Sequence, residues 1–560
     1  MEALMDAGAR AAQTAATWWA RWDLGARLRA GSAATDAWLG ISAWSVPARC
    51  AAYATLLLLL LAIVEQVRLR YKAGFGKIAG PRFLPPFIGC VASMVWQPYW
   101  FWEQQRRLCP SGLSWTSIAG FFTVFITNTD VSRFVLNNNG PSDFEMILHP
   151  NGWKILGKNN IAFKSGVEHK ALRQSFLRLF SRKALGVYLS IQERLIRQHI
   201  AAWMQETQSA EDGAARAPLE VRTRVRDLNL MTSQTVFVGP YLQDRERFCR
   251  DYLYITQGFL SFPIALPGTG LWRAIQARRR IMRALTECVR RSKKRMQSGD
   301  AVEPECLLDF WTLTVLEEVA EAQHQGVPPP KYSADHEMAD ALLDFLFAAQ
   351  DASTASLTWT TVLVAERKDV LHKVREEQAR LRPNDEPLTY ELLEQMTYAR
   401  AVIMEVLRFR PPPTLVPQVA MRNIPLTDTY TVPRGTLVIP SLWAACMEGF
   451  PEPGKFDPER MMPERQEDLK YRKHFMTFGC GPHACVGRHY AINHLMCYLA
   501  ILATTLNWQR VRTPQSDEII YLPTIYPADS LIVPEWRRPP PTTEEAVRRE
   551  SVANGVHVAA

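Results

Sequence analysis

Hydrophobic and polar positions alternate in the ordinary amphipathic way along most of this chain, and the departures from that pattern predict its unusual elements. From Cys50 to Val64 no residue is charged, and Leu56 to Leu61 are six consecutive leucines. The core is slightly short of the roughly 20 residues that span a bilayer. Extension past Glu65 to Val67, or tilt in a thin bilayer, closes the gap, so 50–67 reads as a transmembrane anchor. A cleaved signal peptide fits less well, because the run starts far into the chain and no small-residue cleavage site follows. Arg68, Arg70, Lys72 and Lys77 come next, which places the C-terminal side in the cytoplasm. Residues 1–49, Ala-rich with several Trp, are then a lumenal or interfacial segment. The stretch 68–89 is basic and ends in Gly80-Pro81-Arg82-Phe83-Leu84-Pro85-Pro86-Phe87-Ile88-Gly89, where prolines predict a stiff, extended hinge.

A second departure runs from Asp340 to Val364, a helical pattern apolar nearly all round, which predicts a buried helix. Its middle nevertheless reads Ala348-Ala349-Gln350-Asp351-Ala352-Ser353-Thr354, small and polar. Another apolar helical run follows Gly487. Glu405 and Arg408, three apart, share one face of a helix that stops at Pro411-Pro412-Pro413. No Gly/Ser linker or repeat divides the middle of the 560 residues, so one large helical domain over 90–536 fits better than the roughly three or four domains that length alone suggests. Residues 537–560, rich in Pro and Arg, are expected to be a disordered tail. The ten cysteines are scattered, which favours a reducing compartment over a disulfide scaffold. The net charge of +9 is modest, and the clusters Arg278 to Arg280 and Arg290 to Arg295 fall on helical patterns as solvated faces. No nucleic-acid motif accompanies them.

The chemistry concentrates in Phe478-Gly479-Cys480-Gly481-Pro482-His483-Ala484-Cys485-Val486-Gly487. Glycines and a proline hold a tight loop around Cys485. Gly481 and Gly487 permit close approach of the backbone to a flat cofactor, and a helix beginning after Cys485 points its positive end at the sulfur. Two plainer readings compete. Cys485 is a small buried hydrophobe, or it joins Cys480, His483, His489, His494 and Cys497 around zinc, although no second paired ligand set accompanies them.

The loop reads F-G-x-G-x-H-x-C-x-G and resembles the haem-thiolate loop of the cytochrome P-450 superfamily. That resemblance extends over roughly Pro81 to Pro534 and implies a mainly α fold with small β-sheets. It also implies haem b with Cys485 as the axial iron ligand. Phe478, Gly481, His483 and Gly487 would then lie at the cofactor, with His169 and Arg173 of His169-Lys170-Ala171-Leu172-Arg173 binding its propionates beside His483. The run around Asp351 resembles the superfamily's oxygen-handling helix, with Asp351, Ser353 and Thr354 as proton-relay candidates. Ala352 stands where the usual threonine falls. Phe456-Asp457-Pro458-Glu459-Arg460 resembles a segment whose arginine joins the Glu405–Arg408 pair, so Glu405, Arg408 and Arg460 would form a buried structural network.

Within the superfamily the chain is most similar to the sterol 22-desaturases of fungi, plants and algae. The matching stretches are Gly112-Leu113-Ser114-Trp115, Leu148-His149-Pro150-Asn151, Asn159 to Phe163, Arg182-Lys183-Ala184-Leu185, Ala349 to Ser353 and Tyr521 to Pro527. The implied reaction removes hydrogens from C-22 and C-23 of a sterol side chain with dioxygen. Electrons come from NADPH through NADPH–cytochrome P-450 reductase, to which Lys470, Arg472, Lys473 and Arg488 would face. Candidate contacts for the sterol tail are Phe144, Met146, Leu148, Phe347, Ala348, the strand Leu415-Val416, Ile525 and Tyr526. The resemblance places the protein in the endoplasmic reticulum membrane with its catalytic domain in the cytoplasm. Two alternatives stay open: a sterol or lipid hydroxylase or demethylase of the same superfamily, and a non-catalytic haem- or sterol-binding membrane protein.

Overall fold

The computed structural model of the chain describes residues 37, 44–108, 112–147, 151–207, 216–259, 261–298, 302–521 and 524–537. Most of residues 1–49 and all of the expected tail but Arg537 lie outside them. In chain order the helices include α1 (Val46–Lys72), α2 (Thr129–Asn137), α3 (Gly166–Arg178), α4 (Arg182–Glu206), α5 (Val221–Phe237) and α6 (Arg245–Phe259). They continue with α7 (Gly270–Met296), α8 (Leu307–Gln325), α9 (Asp335–Ala365), α10 (Lys368–Leu381), α11 (Thr397–Phe409) and α12 (Arg488–Thr505). Helix starts are set locally. The side chains of Asn128, Ser181, Glu220 and Thr269 accept from the backbone N–H three residues on, each satisfying one donor that the first turn leaves unpaired.

The strands are short. The first four are β1 (Leu113–Ile118), β2 (Phe121–Ile126), β3 (Phe144–Met146) and β4 (Leu219–Glu220). Then come β5 (Gln418–Ala420), β6 (Ile424–Pro425), β7 (Thr431–Val432), β8 (Leu437–Pro440), β9 (Leu506–Arg510), β10 (Ile519–Tyr521), β11 (Ile525–Pro527) and β12 (Leu531–Trp536). The largest sheet has the order β1-β2-β8-β5-β3, with β2 and β8 parallel and the other pairs antiparallel. Smaller sheets are β4-β12-β9, β10-β11 and β6-β7. The fold is mainly helical with small sheets. Leu415-Val416, expected as a strand, makes only a single bridge, Leu415 to Ser441.

α9 is the axis of the molecule. Its first half packs in one core cluster with α6, α7 and α8, and its second half in another with α4, α11 and α12. A helix this deeply buried still carries Thr354, Ser356, Thr358, Thr360 and Thr361. Each of these five hydroxyls donates to the carbonyl four residues back, at 2.7–2.9 Å, so none of them is left bare.

α1 is long and apolar enough to cross a membrane. Its leucines 56–61 are exposed, while its far end turns into the domain. Leu69 and Ala73 are buried against the large sheet, and the Tyr430 hydroxyl donates to the Lys72 carbonyl at 3.0 Å. The helix therefore runs through the first part of the expected hinge. It also grips the rest: the Phe87 N–H donates to Glu65 Oε2 at 2.7 Å, and Gln66 Nε2 donates to the Leu84 carbonyl at 3.1 Å.

Candidate active site

Below α9 lies a cavity of about 370 Å³, within the range of small-molecule sites. One wall is the stripe Asp344, Phe345, Ala348, Ala349, Ala352, Ser353 and Ser356, spaced three and four apart along one face of the helix. The facing wall is the loop 478–487 and the start of α12.

The loop is built from its own hydrogen bonds. The Gly479 N–H donates to the Met476 carbonyl at 2.8 Å, Ala484 to Gly481 at 3.1 Å and Cys485 to Phe478 at 2.9 Å. Gly487 caps α12. Cys485 lies deep in the protein, yet its side chain is open to the cavity. Burial raises its thiol pKa, and the Gly487 amide, Arg173 and Arg488 oppose that by favouring the thiolate. Arg488 also lies over the Phe478 ring at 5.3 Å.

Gly487 and Gly481 divide the work expected of both. A Cβ at Gly487 would meet no atom within 4 Å, and the open space beside it belongs to the cavity. Gly481 instead has φ +72, and a Cβ there would come within 2.5 Å of the Leu136 carbonyl oxygen. It lets the loop approach the end of α2 and does not line the cavity.

Arg173 and His169, both on α3, reach the cavity, as does His483. Arg173 donates to the Ala484 carbonyl and pairs with no carboxylate among the described residues. The two imidazoles stack with centroids 4.0 Å apart. Burial first, then the neighbouring His169 and Arg173, depress the His483 pKa to about 4, and burial and Arg173 depress that of His169. Both imidazoles can donate from a ring N–H, and Arg173 is the positive charge beside them. This donor set suits haem. The Cys485 thiol, with Cys480 the other thiol on the wall, faces an apolar slot bordered by Leu136, Val486, Ala491 and Leu495, and an arginine without a carboxylate partner lines the same cavity with two imidazoles. For zinc the arrangement fails, since among the described residues no group of three or more His, Cys, Asp or Glu converges.

The three relay candidates separate. Ser353 lines the cavity. Thr354 faces away, donating to the Gln350 carbonyl at 2.7 Å and accepting from Asn229 Nδ2 at 3.2 Å. Asp351 is also off the cavity wall. Burial raises its pKa to about 6, against the pull of Arg222 and Arg226 from α5. Asn229, a buried side chain of α5, had no recognisable sequence signal. It donates to the Ala349 and Gln350 carbonyls at 3.1 and 2.8 Å, tying α5 to the polar centre of α9.

Of the tail contacts, Met146, Ala348 and Val416 line the cavity. Phe144 is core, edge-on to Phe134 at 6.2 Å. Phe347 stacks on Phe259 at 4.8 Å, on the other side of α9. Leu415 packs in the sheet core. Ile525 accepts from Trp359 Nε1 at 3.0 Å, and the Tyr526 hydroxyl donates to the Asp351 carbonyl at 3.2 Å, so β11 braces α9 from outside the cavity. Leu148 lies outside the described residues. The structure adds Ile161, Ala162, Phe237 and Leu442 to the wall.

Behind the loop, Glu405 binds Arg408 at 2.7 Å and lies 3.4 Å from Arg460, all three fully buried. Glu405 also accepts from the Asp457 N–H at 2.9 Å. Glu467, which carried no signal in the sequence, is a second acid of the network, 3.0 Å from Arg460.

Residues 116–524 match the family model described as Cytochrome P450. The chain is 39% identical to "Cytochrome P450 710A4" of Arabidopsis thaliana over 88% of its length and 98% of that protein. It is 33% identical to "C-22 sterol desaturase erg5" of Aspergillus fumigatus over 84% of its length and 91% of that protein. Among solved structures, "Retinoic acid bound cyanobacterial CYP120A1" superposes with a TM-score of 0.69, covering 82% of this chain and 99% of that one, at 22% identity.

Proposed function

This chain belongs to the cytochrome P450 family, and on that premise we propose that it is a sterol C-22 desaturase, forming the C-22(23) double bond of a sterol side chain. The observation that carries this reading is the near full-length likeness to proteins named for C-22 sterol desaturation. Haem held by Cys485 would supply oxygen activation and hydrogen abstraction when bound. Arg173, His169 and His483 would hold its acidic edge.

The outcome on the sterol tail is decided by the residues around it. Ala348, Ala349 and Ala352 keep the distal wall low, so an apolar tail can lie flat against it with neighbouring C–H bonds presented together. Such alignment favours loss of a second hydrogen over addition of oxygen. Phe237, Phe345 and Val416 exclude water around the tail. With Ala352 in place of an alcohol, the Ser353 hydroxyl is the side-chain donor nearest the family's usual position. Asp351, with a pKa near the working pH, supplies protons from the α5 side.

α1 anchors the protein in the endoplasmic reticulum membrane with the domain in the cytoplasm, where a water-insoluble sterol is available. Exposed Lys470, Arg472 and Arg488 beside the loop offer a cationic face to NADPH–cytochrome P450 reductase.

The test is product analysis of the haem-loaded enzyme with reductase, NADPH and a sterol saturated in its side chain. The 22,23-alkene is expected; a 22-hydroxysterol without alkene would sink desaturation in favour of hydroxylation. Cys485→Ser should abolish the red-shifted reduced-CO band, and a retained band would remove Cys485 as the ligand.

A further inference from the structure

Residues 156–163 form a strap that reaches from the surface to the cavity wall. Lys158 and Asn159 on its outer side are exposed, while Ile161 and Ala162 line the cavity. Two aspartates one turn apart on α9 hold this strap from beneath. Asp344, 5% exposed, accepts from the Ile161 N–H at 3.0 Å and from the side-chain amide of Asn160. Asn160 in turn accepts from the Ala162 N–H at 2.9 Å. Asp340 pairs with Arg278 of α7 at 2.5 Å, and Arg278 donates to the Leu156 carbonyl at 3.3 Å. The strap sits directly on that guanidinium: Gly157 has φ +93, and a Cβ there would lie 2.5 Å from Arg278 Nη2.

Asp344 is the one carboxylate lining the cavity among the described residues, and both of its oxygens are taken by the strap. It is thus a fastening rather than a ligand contact. Burial holds its carboxyl well above the usual range. With the strap docked, both oxygens of the acid keep their donors, which offsets the cost of its burial and favours the closed arrangement.

We propose that Asp344 and the Asp340–Arg278 pair are positioning residues that fasten the strap 156–163 across the cavity, so that Ile161 and Ala162 admit ligands according to their size. This rests on the cavity being the haem site and not on the identity of the sterol.

The experiment uses the full, haem-loaded protein in detergent and follows binding of imidazole and of 4-phenylimidazole by the haem absorbance shift. Amide hydrogen exchange of the peptide 156–163 is followed in parallel and needs no haem. Loss of one such hydrogen-bonded fastening is worth about tenfold in an opening equilibrium. In Asp344→Ala, exchange of 156–163 and the association and dissociation rates of 4-phenylimidazole should therefore rise about tenfold, with the rates for imidazole within about twofold. Asp344→Asn keeps an acceptor for the Ile161 N–H and should recover part of the difference. If Asp344→Ala does not fold, Arg278→Ala, which releases the strap from its other end, must show the same pattern. Unchanged exchange of 156–163, or equal acceleration of both ligands, overturns the proposal. Absence of any imidazole shift with accelerated exchange would instead strike at the haem-site reading and leave the fastening standing.

Discussion

Asp351 carries its charge at a cost, and the sign of that cost can be measured. Burial raises its pKa from 3.8 to about 6, so the folded state binds this proton more tightly than the unfolded chain. Stability from this group is therefore lost as pH rises across that interval, and the full penalty, on the order of 3 kcal/mol, applies above it. Asp351→Asn should flatten the stability profile over that interval and raise the unfolding free energy at about pH 7 by roughly 1–3 kcal/mol. If Asp351 delivers protons, turnover of the same variant should fall about a hundredfold. Urea unfolding across pH and steady-state rates check the two effects separately; a variant that is more stable and equally active would remove Asp351 from the chemistry. Thr354 makes the contrast. Its neighbour Ser353 lines the cavity, but Thr354 itself is held by Gln350 and Asn229. One residue along a helix is about 100° around it, enough to take a hydroxyl from the site into the core.

At the scale of elements, α11 and the segment after it are joined through charge. Glu405 sits with Arg408 and Arg460 at zero to one per cent exposure, and Glu467 completes the balance. Removing one partner of a buried pair strands the other, so Glu405→Gln should lower the urea-unfolding free energy by about 3–5 kcal/mol. A loss below about 1 kcal/mol would show that the network does not hold the segment beneath the loop. The pair itself was visible in the chain, because a spacing of three on a helix brings two side chains together wherever the helix lies. Glu467 was not visible. It belongs to a separate short turn that reaches Arg460 only after the chain between them has folded. The same division applies to α9. Its burial is legible in its apolar periphery, while its tie to α5 through Asn229 depends on a neighbour more than a hundred residues away.

Over the whole molecule, the anchor and the domain share a helix. A shortened chain beginning at Glu65 keeps Leu69 and Ala73 in the sheet core and should unfold at the same denaturant concentration as the full chain. One beginning at Gly74 loses both and should be about 3 kcal/mol less stable. Equal stability of the two would mean that α1 is only tethered to the domain. Legible in the chain alone were those features whose physics is local: an apolar run long enough for a bilayer, a buried helix, a glycine-framed cysteine, and an acid and a base one helical turn apart. From these came the mainly helical fold, and the elements that meet at the cavity. Which side of each element faces that cavity was another matter. Phe144, Phe347 and Tyr526 are as apolar or aromatic as Met146 and Val416, yet they pack elsewhere, and nothing in the residues of the strap alone places Ile161 and Ala162 at the cavity. Hydrophobicity dictates that a side chain leaves water; whether it then meets another side chain or a ligand is settled by how distant parts of the chain pack, and no local stretch of residues contains that information.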